Sequence, residues 1–213
     1  MVSDADRDAE VLIEEMLVGE RPEDGLVAEE GAHNEGVSGR RWVVDPLDGT
    51  TNFLYGFPAW AVSIALEDGE GGAVGVVYDP VRDETFSAAR GLGARLGDEQ
   101  IEVNAPGGLD SALIATGFGY ESEQRREQAE LLVGVLPHVR DIRRAGAASL
   151  DLCWVAAGRL DGYYERGLKP WDWAAGSVVV TEAGGALREL VGEPRGLLAA
   201  SPAIADELLG IVS

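Results

Sequence analysis

The sequence predicts an α+β fold, and two patterns along the chain lead to that expectation. From Trp60 to Val103, apolar and polar residues alternate between glycines, which is typical of an antiparallel meander. Beyond Leu109, short apolar runs alternate with stretches of helical periodicity, which favours strands and helices in succession. We therefore expect residues 1–104 to form an α+β half with an antiparallel sheet and residues 105–213 an α/β half, within one continuous unit.

The first half is expected to open with an amphipathic helix from Asp4 to Val18, capped near Ser3 or Asp4. Its predicted apolar face consists of Val11, Leu12, Met16 and Leu17. Two short apolar runs follow, and each ends at carboxylates, so we interpret Leu26 to Ala28 and Trp42 to Val44 as strands whose ends carry chemistry.

In the second half the apolar spacing predicts four helices: Glu123 to Leu136, Ala147 to Ala157, Asp172 to Glu182, and Pro202 to Ile211. The stretch Asn104 to Leu109 is the best candidate for a boundary between the halves.

Composition narrows the classes of function. The formal net charge is −21, which argues against nucleic acid or an anionic membrane as a partner, because either would repel the chain. No apolar stretch approaches the roughly 20 residues of a membrane helix, and the single Cys153 excludes an internal disulfide, so we expect a cytoplasmic protein with a buried thiol. Two explanations of the acidity remain open, a salt-rich cytoplasm or a base-composition bias.

The run from Asp45 to Phe53 is the strongest candidate site. It follows a predicted strand and offers two carboxylates, Asp45 and Asp48, then Gly49 and two hydroxyls. Carboxylate and carbonyl oxygens suit a hard cation, and a helix starting at Thr50 would point free amides at an anion. The alternative is a strand-ending turn with a helix cap.

Other carboxylates could join this site from distant segments. Glu29 and Glu30 end a short strand, and adjacent residues of an extended chain point to opposite sides, so only one of them can face the cluster. Asp172 stands at a predicted helix start. Taken alone, the glutamates are typical of a solvated turn and Asp172 of a helix cap.

Four segments together resemble the inositol monophosphatase family of magnesium-dependent, lithium-sensitive phosphatases: Ala28 to Gly31, Asp45 to Phe53, Trp171 to Gly176, and Thr181 to Gly185. The resemblance covers nearly the whole chain. It implies a layered α-β-α-β-α sandwich of the inositol monophosphatase and fructose-1,6-bisphosphatase type. Family members usually carry a further helix before the point where this sequence starts, so the expected fold lacks the usual N-terminal helix.

The resemblance also implies roles for matching residues. The metal ligands would be Glu29, Asp45, Asp48 and Asp172 with the carbonyl of Leu47. They would hold two or three Mg²⁺ ions, for which Mn²⁺ can substitute, and residues 1–104 would carry most of them. The amides of Gly49 and Thr50 would hold the phosphate. Asp6, which by itself is typical of first-turn helix charge, would polarise the Thr50 hydroxyl, which in turn would orient the attacking water. Asp6, Thr50 and the metal ligand Glu29 are the catalytic residues that the resemblance implies.

Substrate contacts are implied at Glu165 and at the turn formed by Gly146, Ala147 and Ala148. Without the family, Glu165 is equally typical of a surface carboxylate at a strand end. The implied activity is hydrolysis of a phosphate monoester by metal-activated water, with inositol-1-phosphate or a related polyol phosphate as substrate and a homodimer as the assembly. The alternatives are histidinol phosphate or fructose-1,6-bisphosphate as substrate, or a truncated non-catalytic member. Substrate preference would reside in the loops from Gly117 to Arg126 and from Arg140 to Ala147.

Overall fold

The computed structural model describes residues 2–213, which form two mixed β-sheets and six α-helices. The first sheet has the strand order β2-β1-β3-β4-β5-β6-β7-β8. Its strands are β1 (Gly25–Ala28), β2 (His33–Asn34), β3 (Arg41–Asp48), β4 (Ala61–Asp68), β5 (Gly71–Asp79), β6 (Glu84–Ala89), β7 (Ala94–Leu96) and β8 (Glu99–Ile101). From β3 onward every neighbouring pair is antiparallel, which confirms the predicted meander, whereas β1 pairs with β3 in parallel.

The second sheet has the order β10-β9-β11-β13-β12. Its strands are β9 (Leu113–Thr116), β10 (Asp141–Arg143), β11 (Gly162–Arg166), β12 (Ala186–Leu190) and β13 (Gly196–Ala200). The pairs among β10, β9 and β11 are parallel and the other two pairs are antiparallel. The first sheet ends at Ile101 and the second begins at Leu113, and the division of the chain at residue 104 stays a prediction.

The helices complete five layers. They are α1 (Asp4–Glu20), α2 (Thr50–Tyr55), α3 (Ser122–Val135), α4 (Ala148–Ala156), α5 (Pro170–Glu182) and α6 (Ala205–Val212). Helix α1 packs on β3, the pair α4 and α5 lies between the sheets, and α3 and α6 lie on the far side of the second sheet. This arrangement confirms the layered α-β-α-β-α sandwich and all four helices predicted in the second half. Within residues 2–213, no helix combines the length and apolar content that a bilayer span requires.

The largest core cluster fills the space between the sheets. It joins residues of both halves, among them Val77, Cys153, Val179 and Ala199, all 0% exposed. The expected burial of the Cys153 thiol is therefore confirmed. Helix α5 approaches β5 so closely that a Cβ on Gly75 would lie 2.3 Å from the carbonyl oxygen of Ala175, so only glycine fits there. This close packing fixes α5 relative to the first sheet.

Helix α1 forms as predicted, with Ser3 as its N-cap, but its predicted apolar face is wrong. Val11, Leu12 and Met16 are 54%, 58% and 63% exposed, and of the predicted face Leu17 alone packs on the sheet. The inward face instead carries Asp6 and Glu10, which are buried because their carboxylates accept hydrogen bonds from the elements beneath the helix.

Candidate active site

A pocket of about 380 Å³ lies where the end of β3, the starts of α2, α4 and α5, and β11 come together. The predicted site residues that line it are Glu29, Asp45, Leu47, Asp48, Gly49, Thr50, Gly146, Ala148, Glu165 and Asp172. Two others are nearby but do not line it: Asp6 lies behind Thr50, and Ala147 is 1% exposed beneath the wall. The loops assigned to substrate preference contribute Phe118, Tyr120, Gln124 and Arg144 to the lining.

A β-bulge brings Asp45 and Asp48 together. Residues three apart in a regular strand point to opposite faces of a sheet. In β3 the pairing shifts from Asp45 opposite Ser63 to Asp48 opposite Ala61, so one extra residue is accommodated on β3. Pro46, which has no N–H to donate to a ladder, lies within this bulge. The extra residue turns both carboxylates toward the pocket.

Glu10 positions the turn that carries Glu29. Its two carboxylate oxygens accept from the backbone N–H groups of Glu30, at 2.8 Å, and of Ala32, at 2.9 Å. These bonds hold the Glu29–Ala32 turn against α1, and Glu29 lines the pocket while Glu30 does not. The expectation that only one of the two glutamates faces the cluster is therefore confirmed. In the helical pattern Glu10 cannot be distinguished from a solvent-exposed glutamate, so the sequence alone does not predict that it holds this turn.

Asp172 lies in the first turn of α5. The N-cap is Lys169, so Asp172 is not the cap itself but the third helical residue, and its Oδ2 accepts from the backbone N–H of Lys169 at 2.6 Å. This bond leaves Oδ1 for other partners. The turn thereby directs one carboxylate from residue 172 toward those of β3.

The predicted contact between Asp6 and Thr50 is present. The Thr50 hydroxyl lies 3.0 Å from Asp6 Oδ1 and 3.1 Å from the carbonyl oxygen of Leu47. A hydroxyl has one proton, so it donates to one of these acceptors at a time. Asp6 is 0% exposed, and its Oδ2 accepts from the backbone N–H of Ser3 at 2.7 Å. Donation from Thr50 to Asp6 frees the Leu47 carbonyl for another partner.

The turn before α4 is tied to the start of α2. Asn52 donates from Nδ2 to the carbonyl oxygens of Ala59, at 2.6 Å, and Ala145, at 2.9 Å. Gly49 has a φ of 89°, and a Cβ there would lie 3.0 Å from the Ala59 carbonyl oxygen, so the conformation and the space both require glycine. Asn52 was not among the predicted site residues, because its partner at residue 145 cannot be inferred from sequence spacing.

Burial and mutual repulsion raise the pKa values of the pocket carboxyls. Loss of hydration is the largest cause, and it raises the pKa of Glu29 to about 7, of Asp48 to about 7 and of Asp172 to about 6. The pKa of Asp45 stands well above its ordinary value, because the charges of Asp48, Glu29 and Asp172 reinforce its burial. Without cations, the pocket therefore retains protons near neutral pH.

These oxygen donors fit a hard divalent cation. The negative charges of Glu29 and Asp172 help to raise the pKa of Asp45, and a bound cation would compensate this repulsion. Among residues 2–213, no three carboxylate, histidine or cysteine side chains already surround a single ion position. Mg²⁺ usually binds through one or two carboxylates and keeps several waters, so a dispersed set of carboxylates matches its preference.

Glu165 also lines the pocket. The Tyr163 hydroxyl donates to Glu165 Oε2 at 2.7 Å, and burial raises the pKa of Glu165 to about 7. The carboxylate lies directly on the backbone of Gly117, where a Cβ would stand 1.7 Å from Glu165 Oε2. Glycine at position 117 is therefore required for the observed position of Glu165.

Gly117→Ala is expected to displace the Glu165 carboxylate and to raise the KM for the polyol phosphate predicted as substrate about tenfold, since one hydrogen bond to a charged group is lost. The kcat should change much less, because Glu165 is predicted to contact the substrate and is not among the predicted metal ligands. Steady-state kinetics at saturating Mg²⁺ provide the measurement. The matched control is Gly134→Ala, since nothing lies within 4 Å of a Cβ there, and an unchanged KM in Gly117→Ala would contradict the role of Glu165.

Asp151 is a buried carboxyl that the sequence did not single out. It lies on α4, is 1% exposed, and its Oδ1 has no hydrogen-bond partner among residues 2–213. Burial raises its pKa well above the ordinary value, and the charges of Glu165 and Asp48 add to the increase. Folding therefore favours the protonated form of Asp151.

Asp151→Asn is expected to raise the Tm at pH 8 by about 3 °C or more, because the variant has no charge to lose on folding. Because the pKa of Asp151 is raised in the folded protein, burial of the wild-type side chain costs no free energy of unfolding below about pH 4, where the carboxyl is protonated in both states. The difference in Tm between variant and wild type should therefore disappear at pH 4. Thermal unfolding at pH 4 and pH 8 tests this. The contrasting variant is Asp161→Asn, which disturbs the side chain that accepts from the Leu113 N–H and should lower the Tm. Equal Tm values for wild type and Asp151→Asn at pH 8 would refute the argument.

Comparison with known proteins agrees with this geometry. A model of the inositol monophosphatase family matches residues 1–210. The chain belongs to the inositol monophosphatase family. It is 46% identical to inositol-1-monophosphatase SuhB of Mycobacterium tuberculosis over 98% of this chain and 76% of that protein. It is 43% identical to the Nus factor SuhB of Vibrio cholerae over 90% of this chain and 72% of that protein.

Solved structures show the same fold. The crystal structure of the extragenic suppressor protein suhB from Bartonella henselae matches with a TM-score of 0.94 and 41% identity, over 100% of this chain and 84% of that chain. An inositol monophosphatase from Anabaena matches with a TM-score of 0.91 and 37% identity, over 99% and 86% of the two chains. The protein is therefore a phosphatase of the phosphoric monoester hydrolase class, in a family that is metal-dependent.

Proposed function

We propose that this inositol monophosphatase family member hydrolyses the phosphate monoester of a small polyol, inositol-1-phosphate or a close relative, in a Mg²⁺-dependent reaction. The observation that carries the proposal is the meeting of Glu29, Asp45, Asp48 and Asp172 in one pocket, although they come from three separate segments. The start of α2 forms the adjoining wall of the same pocket.

The four carboxylates and the Leu47 carbonyl would hold two or three Mg²⁺ ions. When bound, such ions supply neutralisation of the phosphate charge and activation of a water molecule. The chain's own groups then orient the reactants. The Thr50 hydroxyl donates a hydrogen bond to Asp6. The lone pairs of the Thr50 oxygen are then free to accept a hydrogen bond from the water. The amides of Gly49 and Thr50 face the phosphate, and Glu165, held by Tyr163, accepts from a hydroxyl of the polyol.

Thr50→Val is expected to lower kcat by about 100-fold, because it keeps the shape of the side chain and removes the group that orients the water. Asp6→Asn should lower kcat somewhat less than Thr50→Val does. The double variant should lower kcat no more than Thr50→Val alone, since both residues act through one hydrogen bond. The matched control is Thr51→Val, whose hydroxyl has no hydrogen-bond partner within residues 2–213. Additive losses in the double variant would contradict the proposed coupling.

The substrate is tested by phosphate release from inositol-1-phosphate, fructose-1,6-bisphosphate, histidinol phosphate and an adenosine bisphosphate, each with and without Mg²⁺ and Li⁺. The proposal predicts the highest kcat/KM on inositol-1-phosphate or another polyol phosphate, no release without Mg²⁺, and inhibition by Li⁺. A higher kcat/KM on histidinol phosphate or fructose-1,6-bisphosphate would contradict the proposed substrate and favour one of these two alternatives.

A second candidate function is non-catalytic. Relatives at 41–43% identity are named Nus factor SuhB or putative Nus factor SuhB, whereas others are named inositol-1-monophosphatase. Retention of all four predicted metal-binding carboxylates favours the enzyme. Absence of phosphate release from every substrate in the screen would favour the second candidate. The cytoplasmic location and the homodimer expected from the sequence stay predictions.

A further inference from the structure

Ser149 donates two hydrogen bonds to a single oxygen of Asp48. Its backbone nitrogen lies 2.7 Å and its hydroxyl oxygen 2.5 Å from Asp48 Oδ2. Ser149 is 0% exposed and Asp48 is 8% exposed, so water has little access to this contact. The two residues lie 101 positions apart in the sequence.

The start of α4 explains why Ser149 is in place to do this. The first N–H groups of a helix have no partner within the helix, so the Ser149 N–H is free to donate outward. Gly146, with a φ of 89°, turns the chain into α4, and the two residues between Gly146 and Ser149 are alanines. Ser149 therefore supplies the one side-chain hydroxyl of this turn, and that hydroxyl points at Asp48.

Two donors on Oδ2 leave Oδ1 as the Asp48 oxygen available to another partner. Asp48 ends β3 and lines the pocket, where Asp45 and Asp172 are its charged neighbours. We propose that Ser149 is a positioning residue, which holds Asp48 so that one defined oxygen is presented to the divalent cation. This inference rests on the proposed function, because it assigns Asp48 a cation to bind.

The test compares Mn²⁺ binding by wild type and Ser149→Ala, measured by electron paramagnetic resonance or calorimetry at pH 8.5, where Asp48 is ionised. The backbone N–H remains in the variant, so only the hydroxyl contribution is removed. Loss of a group that holds a metal ligand typically weakens metal binding about 10–100-fold, and we expect a Kd for Mn²⁺ about tenfold higher. The activation constant for Mg²⁺ should rise in parallel, whereas kcat at saturating Mg²⁺ should change less.

The matched control is Ser177→Ala. Ser177 is also a buried helical serine, 8% exposed, but its hydroxyl has no hydrogen-bond partner within residues 2–213 and it lies outside the pocket. Its removal should leave the Kd for Mn²⁺ unchanged. If Ser149→Ala does not fold, Ser149→Cys, which keeps a weaker donor of similar size, is expected to show a smaller but measurable increase of Kd.

The outcomes separate this inference from the proposed function. Absence of Mn²⁺ binding by wild type would overturn the proposed function. Normal binding by wild type together with an unchanged or lower Kd in the Ser149 variants would overturn the positioning role alone. A higher Kd in Ser149→Ala but not in Ser177→Ala, with similar Tm values for the two apo variants, supports the positioning role.

Discussion

Asp48→Asn is expected to lower kcat/KM by about 100- to 1,000-fold while the apo protein stays folded. The substitution keeps one oxygen that can accept from Ser149 but removes the negative charge that a cation requires. Because the apo pocket suffers from repulsion among Asp48, Asp45 and Asp172, the variant should unfold at the same or a higher Tm than wild-type apo protein at pH 8. Steady-state kinetics and thermal unfolding without Mg²⁺ measure the two effects.

The matched control is Asp98→Asn, which removes one carboxylate from the exposed turn between β7 and β8. It changes the net charge by the same amount but should leave kcat/KM within about twofold of wild type. Retained turnover in Asp48→Asn at saturating Mg²⁺ would refute the role of Asp48. A loss of turnover accompanied by a large loss of Tm would show a folding defect instead.

Removal of Mg²⁺ is expected to make stability depend strongly on pH. A carboxyl whose pKa is higher in the folded than in the unfolded chain favours folding at low pH, and this contribution is lost as the pH rises through the folded value. Glu29, Asp48 and Glu165 have pKa values raised to about 7, and Asp172 to about 6, so the free energy of unfolding should fall between about pH 4 and pH 8.

For one carboxyl a shift from about 4 to about 7 corresponds to about 4 kcal/mol, and a fall of the apo Tm by about 10 °C is expected. Saturating Mg²⁺ should raise the Tm at pH 8 far more than at pH 5, because bound cations replace the protons. Repeating the scan in 1 M KCl, where the Debye length is about 3 Å, separates this effect from repulsion among surface carboxylates. A Tm at pH 8 that Mg²⁺ does not change would contradict the account.

The positions of the helices and the meander could be predicted because they depend on local spacing. Leu26 to Ala28 and Ala61 to Leu66 are apolar runs whose strand character needs no information about a partner. The residue types of the run from Asp45 to Phe53 also predicted a site. The spacing of Asp45 and Asp48 does not by itself place them on one face, since that depends on a bulge against β4.

What the sequence did not reveal are contacts whose partners are distant and whose residue types are common. Glu10 is indistinguishable in the helical pattern from exposed helix charge, yet it holds the turn that carries Glu29. The apolar residues Val11, Leu12 and Met16 were predicted to face the sheet because burial usually follows hydrophobicity. Here the buried side of α1 carries two hydrogen-bonded carboxylates together with Ile13 and Leu17, which pack on the first sheet. Asn52 and Ser149 likewise act on residues about one hundred positions away.

The central claim is that the carboxylates of three segments jointly bind divalent cations beside a phosphate. Crystals grown with MnCl₂ and inorganic phosphate, measured at the manganese absorption edge, test it most directly. The account predicts anomalous peaks in contact with Glu29, Asp45, Asp48 and Asp172, with phosphate density against Gly49 and Thr50. A map without manganese among these four carboxylates, at a concentration that supports full turnover, would contradict it.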